Sequence, residues 1–171
     1  MQETERNFLI RSAYTDELTQ IHNRRYCMEY MNRIMETENQ AYTVFCFDLN
    51  NLKVTNDTYG HARGDLLIKS AAEVIEKAFG PHGIVARMGG DEFIAIAETH
   101  NSSDISSMIG EFHSAIDQKN MDIPDLHLSI ALGYASCTPK EYNIEKIYQL
   151  ADDRMYEDKV KMKQAAARIQ A

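Results

Sequence analysis

Residues 42–49 read YTVFCFDL, a β-branched and aromatic run with no charge until Asp48. Such a run suits a central strand buried on both faces. Further on, in LLIKSAAEVIEKAF (66–79), Leu67, Ala71, Val74, Ile75 and Ala78 fall on one side of a 3.6-residue spiral, which predicts a core-facing amphipathic helix. The same periodicity marks a helix through Ile105, Met108, Ile109, Phe112 and Ile116, and a last one through Ile144, Ile147, Ala151 and Met155. IVARM and EFIAIA read as two strands joined through Gly89 and Gly90, residues suited to positive φ in a tight hairpin. LHLSIALGYAS (126–136) reads as another strand, and 50–65 as a turn-rich polar connection. Residues 25–37 lack Gly and Pro and suit a surface helix, while 1–15 look helical without a clean apolar stripe. The core order of strand, helix, paired strands, helix, strand fits a ferredoxin-like α/β (α+β) sandwich, a mainly antiparallel sheet flanked by helices.

Composition narrows the choice. At 171 residues and 44% hydrophobic, the chain has the length and apolar content of one domain. Eighteen basic against 26 acidic residues give a net charge of −8, which argues against a nucleic-acid-tracking surface. A polyphosphate ligand must therefore be held locally, with a cation's help. Cys27, Cys46 and Cys137 are odd in number, with no CxxC pair, and read as reduced thiols of a cytoplasmic protein. No apolar run approaches the roughly 20 residues that span a bilayer, so direct membrane contact is not expected of this chain.

Chemistry concentrates at predicted strand ends. Asp48 closes the central strand, and Asp91 with Glu92 stands at the hairpin tip. Carboxylates gathered there repel one another unless a hard cation joins them, and magnesium suits one or two carboxylates plus substrate phosphates. On spacing alone, the same acids read equally well as solvated turn residues.

The motifs around them tip the balance. RMGGDEF (87–93) resembles the signature of the GGDEF family of diguanylate cyclases. DELTQIHNRR (16–25) is similar to the family's DxLTxxxNRR entry segment, and FDLNNLKVTNDTYGHARGD (47–65) to its FDxDxFKxxND…GHxxGD block. LSIALGYA (128–135) resembles the penultimate strand and ADDRMYEDK (151–159) the closing ADxxMYxAK helix. The resemblance implies a domain from residue 16 to 171, with 1–15 a stub or linker from a missing N-terminal sensory or regulatory domain. It implies a palm-like fold similar to that of nucleotidyl cyclases, and condensation of two GTP molecules into cyclic di-GMP across a homodimer of half-sites. Magnesium is the implied cofactor, with manganese as the alternative ion. The implied metal ligands are Asp48, the Leu49 carbonyl, Asp91 and Glu92. Asp91 is also the candidate base, Glu92 its support, and Lys53 stabilises phosphate charge. Asn56 and Asp65 match guanine-recognising positions, since a carboxylate accepts from guanine's adjacent N1–H and N2 donors. His61, Gly89, Gly90, Lys159 and Lys163 complete the implied nucleotide contacts.

Four departures from the pattern stand out. Asn50 replaces a frequent Asp, and Leu52 a frequent Phe. Lys163 falls where an arginine often meets phosphate, a point charge in place of a fork. GPHG (80–83) occupies the place of the RxxD inhibitory site, so product inhibition through that site is expected to be absent. A non-catalytic GTP-binding sensor or scaffold is the competing function, but such degenerate members usually lose the acids and guanine contacts that this chain keeps.

Overall fold

The computed structural model describes residues 10–37, 40–138 and 143–169. Residues 10–14 are helical; the rest of the helix expected over 1–15 lies outside the described residues. The elements that follow are β1 (His22–Asn23), α1 (Arg24–Met35), β2 (Tyr42–Leu49), α2 (Leu52–Tyr59) and α3 (His61–Phe79). Then come β3 (Gly83–Gly89), β4 (Glu92–Ala97), α4 (Ser102–Asp122), β5 (Ile130–Cys137) and α5 (Ile144–Ile169). The strands form one sheet in the order β1-β3-β4-β2-β5, antiparallel except where β1 runs parallel to β3. Leaving β1 aside, this is the strand order of the ferredoxin-like sandwich expected from the sequence.

All eight residues of β2 are buried, because strands pair on both its sides and helices cover both its faces. Alternate side chains divide between two cores. Phe45 and Phe47 point to α3 and α4, with the Phe45 and Phe79 rings 4.6 Å apart and those of Phe47 and Phe112 5.4 Å apart. Val44 and Cys46 point the other way, to Cys27 and Met31 of α1 and to Ala151 and Met155 of α5. Each large apolar side chain so buried contributes about 1.5–3 kcal/mol before entropy is counted. The three cysteines are buried and none is in a disulfide; burial pushes the Cys27 thiol up to about 12.

α5 is seated on β5 with little clearance. A Cβ at Gly133 would collide with the backbone of Ala151 and Met155. Side chains from α5 also occupy two outward groups on the outer edge of β5, where no described strand pairs: Leu132 N–H donates to Asp158 Oδ2 (3.0 Å), and Arg154 Nη1 donates to the Tyr134 carbonyl (2.8 Å).

Two local expectations are corrected, and one short strand was not foreseen. The polar stretch read as turns contains α2, entered through Asn51 at φ 63° and closed by Gly60 at φ 85°. Leu52 tethers that helix to the core, and one apolar contact is too little for periodicity to betray it. The strand expected from residue 126 starts at Ile130, because Asn120 engages both the N–H and the carbonyl of Leu128 and competes with strand pairing. β1 has only two residues and leaves no pattern of its own.

Candidate functional site

Asp48 is the buried seventh residue of β2, facing Glu92 of β4 on one side and Ala131 of β5 on the other. Its Oδ1 accepts from Lys159 Nζ at 2.5 Å, an ion pair that brings α5 to the end of the central strand. A carboxylate so little exposed needs a cationic partner. The next residue, Leu49, donates its N–H to the Asp91 carbonyl at 2.8 Å, drawing the hairpin tip against the same strand end.

The hairpin achieves this through glycine. Gly89 pairs with Glu92, with a register shift between Arg87 and Gly89, leaving Gly90 and Asp91 as the loop. Gly89 has φ 144° and Gly90 φ 52°, conformations that side chains resist. The irregularity sets Asp91 in the turn rather than on the strand, so it does not simply face away from Glu92 as strand alternation would require. Arg87 braces the loop: Nη2 and Nε donate to the Gly90 carbonyl at 2.9 and 3.2 Å, while Nη1 reaches Asp16 Oδ1 at 3.2 Å. Asp16 also accepts from the Thr19 amide and hydroxyl. Burial pushes its carboxyl up, but those bonds and the Arg87 charge outweigh it and hold it below the ordinary carboxylate range. Neither Asp16 nor Arg87 was singled out from the sequence, although both lie inside the motifs quoted above.

Asp48, Glu92, Asp91 and Lys159 are therefore brought to one end of the sheet. Asn56 is half-buried on α2, its Oδ1 occupying the space a Cβ on buried Gly64 would need. That fit joins α2 to α3 next to Asp65, so Asn56 and Asp65 share one junction. Lys53, His61 and Asp65 are exposed, His61 opening α3 directly after Gly60. Lys163 is exposed one turn beyond Lys159. Asn50 is buried; its amide donates to Ser129 Oγ (3.0 Å) and lies 3.5 Å from Met162 Sδ, while its Oδ1 is unpartnered among the described residues.

The donor set suits a hard cation, since the candidate ligands offer only oxygen. Among the described residues no three His, Cys, Asp or Glu side chains converge as a ready-made metal cage. An ion here would need phosphate oxygens or water to complete its shell. Behind the tip lies a cavity of about 20 Å³ lined by Cys46, Met88, Glu92, Tyr148, Asp152 and Met155. Burial, reinforced by the charges of Asp153 and Asp48, raises the Asp152 carboxyl. A wider cleft of about 550 Å³ lies elsewhere, between the N-terminal segment and α3, and includes none of these residues. No described helix is long and apolar enough to cross a membrane.

Comparison with known proteins agrees with the geometry. The family model described as diguanylate cyclase, GGDEF domain, matches residues 13–165. The probable diguanylate cyclase DgcT of Escherichia coli (strain K12) is 28% identical over 152 residues, covering 86% of this chain and 34% of that protein. Diguanylate cyclase DgcP of the same organism is 29% identical over 162 residues, covering 88% of this chain and 46% of that protein. The chain thus spans less than half the length of either relative. Among solved structures, the GGDEF domain of DgcB from Caulobacter crescentus in complex with c-di-GMP superposes with a TM-score of 0.75 at 26% identity, over 86% of this chain and 90% of that one. The coiled coil and GGDEF domain of the same protein, at 24% identity, gives 0.80 over 91% and 85% and supports the fold.

Proposed function

The chain belongs to the diguanylate cyclase GGDEF-domain family, and from that premise we propose that it condenses two GTP molecules into cyclic di-GMP, releasing two pyrophosphates. The observation that carries this reading is the meeting of Asp48, Glu92, the turn residue Asp91 and Lys159 at one end of β2. Magnesium held by Asp48, the Leu49 carbonyl, Asp91 and Glu92 would neutralise triphosphate charge and acidify the ribose 3′-hydroxyl. Lys53, Lys159 and Lys163 contribute positive charge to the phosphates. Asn56 and Asp65 select guanine by accepting from its paired donors, with His61 beside them, and Gly89 and Gly90 let the backbone approach the nucleotide. Asp91 is the candidate acceptor of the 3′-hydroxyl proton.

Each subunit of a homodimer holds one GTP, so the second subunit supplies the alignment that two separate monomers lack. Alignment of this kind is worth about 7–11 kcal/mol of barrier. GPHG in place of the RxxD site leaves the product without that inhibitory contact.

The test is chromatography of nucleotides after incubation with GTP and magnesium, at rising protein concentration and with the domain fused to a dimeric coiled coil. Cyclic di-GMP appearing with second-order dependence on protein, and lost in Asp91→Ala, is the expected result. Magnesium-dependent GTP binding with no product, even from the fusion, would leave a sensor or scaffold instead.

A further inference from the structure

The site depends on Lys159 meeting Asp48, yet a lysine on a long helix can be aimed only as well as the helix itself is fixed. The Gly133 contact sets how closely α5 approaches the sheet, but a glycine surface alone resists rotation poorly. The residue just before Lys159 is Asp158, which stands where the family pattern ADxxMYxAK has alanine. Its Oδ2 accepts from Leu132 N–H at 3.0 Å, and Leu132 pairs with Phe47, the neighbour of Asp48. One turn earlier Arg154 Nη1 holds the Tyr134 carbonyl on the same edge.

We infer that Asp158 is a positioning residue for the site: by accepting the outward Leu132 N–H it fixes the rotation of α5 on the edge of β5 and so presents Lys159 to Asp48. Two bonds four helix residues apart, to groups two strand residues apart, define a line, and a line fixes rotation where a single contact does not. A side-chain acceptor suffices, so asparagine can replace aspartate and alanine cannot.

The inference rests on reading Lys159 as a phosphate contact, and the experiment separates the two. Binding of a non-hydrolysable GTP analogue with magnesium is measured for the wild type, Asp158→Ala, Asp158→Asn, Lys159→Met and the Asp158→Ala/Lys159→Met pair, alongside amide exchange at Leu132. Asp158→Ala should weaken binding about tenfold, of the order expected when a hydrogen bond to a charged group is lost. It should also speed exchange at Leu132, while Asp158→Asn retains both properties and the alanine change has no further effect in the Lys159→Met background. Equal weakening by Asp158→Ala in both backgrounds, or failure of asparagine to rescue, would overturn the inference. If the wild type and Lys159→Met bind the analogue alike, the phosphate role of Lys159 fails instead. The ¹⁵N ammonium signal of Lys159 then decides: its loss in Asp158→Ala and persistence in Asp158→Asn supports the positioning role, and an unchanged signal in both refutes it.

Discussion

Arg87 reads two motifs at once, since one guanidinium holds the Gly90 carbonyl and the Asp16 carboxylate. The Asp16 carboxyl sits below its ordinary value, so its contribution to stability is complete above about pH 4, the unfolded carboxylate range. That contribution disappears as pH falls through the lower folded value. Urea unfolding of the wild type and Asp16→Asn should therefore differ near neutrality and converge in acid; a gap independent of pH would mean that the charge is irrelevant. A second prediction concerns Gly64. Alanine there displaces the far end of Asn56 rather than backbone, so melting should move little while affinity for GTP falls several-fold, as measured by calorimetry. The acids and glycines of this site were legible because each belongs to a quoted motif. The brace between residues 16 and 87 was not, because contact over 71 positions leaves no local periodicity.

At the scale of elements, hydrophobic spacing located β2 and the large helices, whose apolar faces are continuous. It missed α2, where turn-forming residues dominate, and placed the start of β5 too early because Asn120 intervenes from another helix. Gly133 was quoted in a motif without a role, yet it sets the distance between β5 and α5. Gly133→Ala must push against the backbone of Ala151 and Met155, which cannot rotate aside as a side chain can. A loss of about 3 kcal/mol or more is expected, at the upper end of overpacking costs, measured as a shift in denaturant midpoint at constant slope. Because Lys159 rides on that helix, nucleotide affinity should fall with it in the fraction that remains folded.

For the whole molecule, a net charge of −8 on each copy opposes the homodimer proposed above, and salt screens that repulsion within about 10 Å at 0.1 M. Sedimentation velocity at low and moderate salt should show that proposed dimer tightening as ionic strength rises; weakening would indicate an interface held by opposite charges. The contacts on the outer edge of β5 have a consequence for how copies can meet. One margin of the sheet has two of its outward polar groups occupied by Arg154 and Asp158, and the other ends in the two-residue β1. Those two contacts interrupt, midway along β5, the row of outward amides and carbonyls through which sheets of separate molecules can join edge to edge. A second copy adding its sheet along this margin would first have to displace both side chains, which disfavours that route of association.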